Sequence, residues 1–154
     1  MKNGMSIRMK AAFWCYLLAL LPIGIFGTIY LLRSEFMPYH AIAVGKTWVE
    51  VDPSLQILLL ALIRVVGGTW IATALAMGII LFIPFKQGMR WARWAIAAIG
   101  LVAESASLFV TLTVTLNTPA TPPWKGALII IVLLIVGLFL SLYPEKNAEP
   151  ILKR

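Results

Sequence analysis

The sequence predicts an all-α integral membrane protein, built as a bundle of four transmembrane helices. Of its 154 residues, 61% are hydrophobic and only 12% are charged, whereas a soluble domain averages about 25% charged residues. The mean hydropathy is +0.93, and the apolar residues fall into four runs that can each cross a bilayer as a helix of about 20 residues. The chain length predicts one membrane domain over 1–154, with no second soluble domain.

The first apolar run covers about 11–32. Basic residues precede it, as in a secretory signal, but the run is longer than a signal-peptide core of about 7–15 residues. Since no small-x-small cleavage site follows, we expect the run to remain as a transmembrane helix. Cys15 lies within it and has no second cysteine to pair with, which indicates a small packing residue rather than redox chemistry.

An outer loop, 33–54, separates the first run from the second. Within this loop Pro38 suits the first turn of a short helix, and Gly45 suits the C-terminal cap. The apolar stretch PYHAIAV between them is therefore predicted to form a short helix in the membrane interface.

The second run, about 55–85, is longer than a bilayer requires. Asp52 and Pro53 predict its N-cap and its first helical residue, and Pro84 is expected close to its end because proline disrupts a helix interior. A helix of this length must tilt or extend beyond the hydrocarbon.

The third and fourth runs cover about 91–116 and 124–143. A short basic turn joins the second run to the third, which predicts two antiparallel neighbours. The stretch NTPATPPW leads from the third run into the fourth, and its prolines indicate a structural turn.

Positive charge is concentrated at one side of the predicted spans. The flanking basic residues are Lys2, Arg8, Lys10, Lys86, Arg90, Arg93, Lys146, Lys153 and Arg154. The outer loop has two basic and three acidic residues, and 117–123 carries no charge. The positive-inside rule then places both termini in the cytoplasm of a bacterial cell, with the helices in the inner membrane. The net charge of +7 belongs to these flanks and does not indicate nucleic-acid binding.

Two charged residues interrupt the apolar runs, Arg64 in the second and Glu104 in the third. A charge at mid-bilayer costs about 2.5–3.5 kcal/mol on insertion scales, so it generally pairs with another charge or lines a cavity. These two residues are the first candidates for a functional site.

A row of small residues follows Arg64 at four-residue spacing. Gly68, Ala72 and Ala76 continue the row, and Gly67 lies beside it. Because small residues at this spacing let membrane helices approach closely, the row is predicted to pack against another helix and to direct Arg64 toward protein.

The third run carries a polar stripe made of Gly100, Glu104, Ser107 and Thr111. Counted from the outer helix ends, Arg64 and Glu104 lie at similar depths, whereas counted from the basic turn their depths differ by roughly 10 Å. We expect the two to pair. The pair would either fix the register of the bundle or line a polar pocket with Ser107 and Thr111.

His40, the only histidine, lies in the outer loop and is a further candidate neighbour of that pocket. A single histidine excludes bis-histidine haem, and with one cysteine the chain lacks the ligands of a zinc site. No nucleophile motif, phosphate-binding loop or dinucleotide fingerprint is present. The sequence therefore predicts no catalytic residue, no metal and no cofactor.

The stretch 52–100 resembles the small four-span bacterial membrane proteins described as DoxX-like. The resemblance rests on Arg64 followed by Gly67 and Gly68, then an apolar run, a short basic turn and another span. It covers about a third of the chain and implies a four-helix membrane bundle. The longer outer loop and the NTPATPPW stretch depart from the family pattern.

These features predict a non-enzymatic protein. It would be an accessory subunit, or a binder of a small amphipathic ligand in the outer half of the bundle, with Arg64 and Glu104 as the polar centre. One alternative is a small oligomeric proton-coupled transporter that uses Glu104. A second is a lipid-modifying enzyme that uses His40 and Glu50 for acid–base chemistry. The expected partners are membrane lipid, another membrane protein or a second copy of the chain.

Overall fold

The computed structural model describes residues 5–142, and this part of the chain is helical without any strand. The α-helices are α1 (Ile7–Leu32), α2 (Pro38–Val44), α3 (Pro53–Ile80), α4 (Arg90–Asn117) and α5 (Trp124–Leu142). A 3₁₀ turn follows α2 at Trp48–Glu50, and a π-helical turn at Leu81–Phe85 extends α3. Four helices are long and apolar enough to cross a membrane, namely α1, α3 with its π-helical extension, α4 and α5. The predicted all-helical architecture is confirmed.

The four long helices form a closed ring. α1 packs against α3 and α5, and α4 packs against the same two helices, so that α1 and α4 lie diagonally opposite. We call the end of the ring with the turn 86–89 the turn end, and the end with the segments 33–52 and 118–123 the loop end. The basic flanks Arg8, Lys10, Lys86, Arg90 and Arg93 belong to the turn end. The other predicted basic flanks, at positions 2, 146, 153 and 154, lie outside the described residues.

The turn-end half of the ring is tightly filled. Tyr16, Met77 and Leu134, from three different helices, are fully buried there. The Tyr16 hydroxyl donates a hydrogen bond of 3.1 Å to the carbonyl of Arg93, and its ring meets Phe85 edge to face at 5.6 Å. Within residues 5–142 the interior of this half therefore consists of tightly packed side chains.

Gly67 and Gly27 bring α3 and α1 into close contact. A Cβ built on Gly67 would lie 2.5 Å from the backbone nitrogen of Leu31 and 2.7 Å from the carbonyl oxygen of Gly27. Gly100 similarly faces Leu134 on α5. Gly67 and Gly100 therefore lie in close contacts between helices.

The other small residues of the predicted packing row are not buried in a close helix contact. Nothing lies within 4 Å of a Cβ built on Gly68, Ala72 is exposed, and Ala76 is half-buried. The contact face of α3 passes instead through Ile63, Gly67 and Met77, which are buried. Because successive residues of an α-helix are about 100° apart, moving the contact face by one residue turns the predicted row outward.

The loop end is capped by α2 and the segment around it. Gly45 ends α2 in the left-handed conformation, with φ of 70°, and its amide donates to the carbonyl of Ala41 at 2.9 Å. The carboxylate of Asp52 caps α3 by accepting from the backbone nitrogens of Ser54 at 2.9 Å and Leu55 at 3.4 Å. The Ser54 hydroxyl also donates a hydrogen bond to this carboxylate, and this bond together with the two backbone bonds lowers the pKa of Asp52. The predicted short helix and the predicted start of α3 are both confirmed.

Candidate functional site

A cavity of about 380 Å³ lies inside the loop-end half of the ring. This volume falls within the range of about 300–1,000 Å³ that is typical of small-molecule sites. α1, α4 and α5 form most of the wall, and α3 and α2 contribute one residue each. The lining residues are Leu18, Pro22, Ile23, Phe26, Tyr30, Tyr39, Trp70, Glu104, Ser107, Thr111, Pro123, Gly126, Ala127, Ile129, Ile130 and Leu133.

Among the described residues, Glu104 supplies the only ionisable carboxyl group of this wall. The residue is 4% exposed, and no hydrogen bond or ion pair to its carboxyl group occurs within residues 5–142. Because α4 rises toward the loop end, Glu104 lies deepest among the polar residues of the stripe. An unpartnered buried carboxyl group facing an open cavity is a polar anchor for a bound molecule.

Ser107 and Thr111 lie above Glu104 on the same face of α4 and also line the cavity. The Thr111 hydroxyl donates to the carbonyl of Ser107 at 2.8 Å and is within 3.1 Å of the carbonyl of Leu108. Since its proton is used inside the helix, Thr111 offers the cavity oxygen lone pairs. The structure thus brings together three of the predicted site residues, Glu104, Ser107 and Thr111.

Aromatic side chains close the cavity toward the loop end. The hydroxyls of Tyr30 on α1 and Tyr39 on α2 are hydrogen-bonded to each other. The ring of Trp70 packs against Tyr30 with a centroid distance of 5.1 Å. Burial, together with the bond to Tyr30, raises the pKa of Tyr39, so its hydroxyl stays protonated at neutral pH.

Sequence reasoning missed Tyr30, Tyr39 and Trp70 as site residues. One signal was present for Trp70, because it lies in the middle of an apolar run, whereas tryptophan is enriched at the borders of membrane spans. The two tyrosines gave no such signal, since only the folding of the outer loop brings α2 over the end of α1.

The cavity has an opening on the outer surface of the ring, between α1 and α5. The lining residues Leu18 and Ile129 are 51% and 61% exposed, and Phe26 is 36% exposed. All three are apolar, so the opening has the character of a membrane-facing surface. An apolar molecule can therefore reach the cavity sideways, without passing through the loop end.

Arg64 does not belong to this cavity, and the predicted ion pair with Glu104 is wrong. Arg64 is exposed, and the one ion pair within residues 5–142 joins Arg33 to Glu35 at 3.7 Å. At about 1.5 Å per residue, Arg64 lies roughly 31 Å from Phe85 along α3, whereas Glu104 lies roughly 21 Å from Arg90 along α4. The helix depths counted from the basic turn, which differ by roughly 10 Å, were therefore the correct ones.

His40 lies next to the aromatic cap and is not part of the cavity wall. Its ring meets Tyr39 at a centroid distance of 4.4 Å, and its Nδ1 accepts a hydrogen bond of 3.3 Å from the amide of Met37 at the start of α2. Burial and the charge of Arg33 lower the pKa of His40. The imidazole is thus held neutral, as an acceptor in a helix cap.

Glu50 also has a local structural role. Its carboxylate accepts hydrogen bonds of 2.7 Å from both the amide and the hydroxyl of Thr47, and these bonds lower its pKa. No group of three or more histidine, cysteine, aspartate and glutamate side chains that could bind a metal ion occurs in the described part of the chain.

No family model, no curated protein and no solved structure matches this chain. The resemblance to DoxX-like proteins accordingly stays a prediction from the sequence.

Proposed function

We propose that this chain is a multi-pass protein of the bacterial inner membrane that binds a small amphipathic, lipid-like molecule in the cavity between α1, α4 and α5. The observation that carries the proposal is the buried carboxyl group of Glu104, which faces the cavity and has no hydrogen-bond or ion-pair partner within residues 5–142. A buried polar group of this kind destabilises the fold unless something bonds to it. A bound molecule with a polar end supplies that bond.

The remaining wall fits the apolar part of such a molecule. Ile23, Ile130 and Leu133 line the cavity with aliphatic side chains, and the opening beside Leu18 and Ile129 is apolar as well. A mostly apolar wall with a few polar groups is the usual composition of a small-molecule site. The ligand would enter from the lipid and place its polar end near Glu104.

Two glycines provide a matched test of this proposal. Gly126 lines the cavity and Gly68 lies outside it, and a Cβ built on either one meets nothing within 4 Å. Gly126→Leu therefore adds a side chain at the cavity wall without a backbone clash, whereas Gly68→Leu adds the same side chain elsewhere. Intact-mass measurement of the full chain, released from native membrane with its bound molecules, should show a small-molecule or lipid adduct in the parent chain and in Gly68→Leu.

The adduct should be reduced at least about tenfold in Gly126→Leu, because a leucine side chain removes space that the ligand needs. Equal occupancy of the two variants would overturn the proposal. A second polypeptide in place of the adduct would support the accessory-subunit interpretation instead.

Proton-coupled transport through Glu104 is the second candidate, since a buried carboxyl group can carry a proton. Transport requires a path that continues to the turn end, and that half is filled by Tyr16, Met77 and Leu134. We therefore favour binding over transport. Proton-coupled flux in proteoliposomes that is lost in Glu104→Gln would reverse this preference.

A further inference from the structure

We propose that the polar end of the ligand is a positively charged amine, so that the site selects cationic amphiphiles over neutral and anionic ones. This inference rests on the proposed function and adds the chemical class of the ligand. It follows from the charge of the wall, from its hydrogen-bonding groups and from its aromatic side chains.

The cavity wall contains an acidic side chain and no basic one among the described residues. Among residues 5–142, Glu104 is the only acidic residue that lines the cavity, and no lysine, arginine or histidine lines it. Arg64, which sequence reasoning placed beside Glu104, is exposed on another face of α3. Arg33, which is close enough to influence Tyr39, is paired with Glu35. An anionic headgroup would therefore bring a second negative charge into an apolar space without a cation to compensate it.

Two further groups of the wall can accept a hydrogen bond from the ligand, and the Ser107 hydroxyl can accept as well as donate. Thr111 has committed its proton to the carbonyl of Ser107 and can only accept further hydrogen bonds. Pro22 lacks an amide hydrogen, so the carbonyl of Leu18 loses its usual intrahelical donor, and both residues lie in the wall. An ammonium group carries up to three N–H donors and no acceptor, which matches the carboxyl group of Glu104 and these acceptors.

Four aromatic residues complete the wall, namely Phe26, Tyr30, Tyr39 and Trp70. The face of an aromatic ring attracts a cation through its quadrupole, and this attraction strengthens where water is excluded. A carboxyl group combined with several aromatic rings is a chemistry suited to ammonium groups. The apolar body of the ligand would then occupy the space between α1 and α5.

Three amphiphiles with the same chain test the inference, namely dodecylamine, dodecanol and dodecanoate. The purified full-length protein in detergent is incubated with an equimolar mixture, and the bound species are counted by native mass spectrometry. We expect the amine adduct to exceed each of the other two at least about tenfold, the ratio expected for one charge-assisted hydrogen bond. Gly68→Leu should keep this ratio, and Gly126→Leu should reduce binding of all three.

Two substitutions at Glu104 separate charge from folding. Glu104→Gln has nearly the same shape and should abolish the preference for the amine while dodecanol still binds. Glu104→Asp keeps the negative charge and should retain the preference. Dodecanoate binding as well as dodecylamine, or an unchanged preference in Glu104→Gln, would overturn the inference and leave the proposed function standing. Absence of all three adducts in the parent chain would overturn both.

Discussion

The single residue Glu104 distinguishes a binding role from a stabilising role. Removing a group that serves only to bind a ligand stabilises the fold, whereas removing a group that stabilises the fold weakens it. Its carboxyl group is buried and has no partner within residues 5–142. We therefore expect Glu104→Leu to raise the free energy of unfolding by about 1–3 kcal/mol, because the cost of burying an unbonded polar group disappears. Denaturant unfolding of the ligand-free protein in detergent would measure the change. A loss of stability of that size would instead reveal an internal partner for the carboxyl group.

Arg64 provides the comparison for that experiment. It is exposed and takes no part in an ion pair in the described structure, so Arg64→Met should change the free energy of unfolding independently of Glu104→Leu. The effects of the two substitutions should add to within about 0.5 kcal/mol in the double variant. A structural ion pair would give a coupling energy well above that value, because each single variant would leave an uncompensated charge.

Gly67 and Gly68 test how helix α3 packs, because they are adjacent in sequence and lie on different faces of this helix. Gly67→Ala places a methyl group against the backbone of α1 at Leu31 and Gly27, and should lower the free energy of unfolding by about 1–3 kcal/mol through overpacking. Gly68→Ala meets open space and should be neutral or stabilising by up to about 1 kcal/mol, since alanine favours a helix more than glycine does. Equal effects of the two substitutions would contradict the helix pairing described above.

Local sequence signals predicted the elements well, and the same signals could not determine which helix faces meet. Pro38 and Gly45 enclose α2 because φ preferences act within the chain itself. The contact face of α3 depends on α1, and the sequence offered two adjacent glycines for it. The choice between Gly67 and Gly68 is made by packing, which a pattern of small residues does not encode.

The ring as a whole is built from helices of unequal length. α3 with its extension has 33 residues and α5 has 19, so the depth of a residue on one helix cannot be compared with another by counting from the loop end. For this reason Arg64, on the neighbouring helix α3, was wrongly predicted to pair with Glu104, whereas the polar stripe of α4 depended on the spacing within one helix. The aromatic cap formed by Tyr30 and Tyr39 depends on the path of the outer loop, which no periodicity in the sequence describes.

We predict that the ring lies in the membrane with its turn end facing the cytoplasm. In a Cys15→Ala background, which removes the only native cysteine, single cysteines are placed at Val49 near the loop end and at Gln87 in the turn, both exposed. A membrane-impermeant maleimide applied to spheroplasts should label Val49→Cys, and it should label Gln87→Cys only after lysis. The physical reason is that the basic residues beside Gln87 resist translocation, whereas the loop end has no excess of positive charge. The reverse labelling pattern would show that the bundle has the opposite orientation. The Glu104 cavity would then lie in the inner leaflet and face cytoplasmic rather than external amphiphiles.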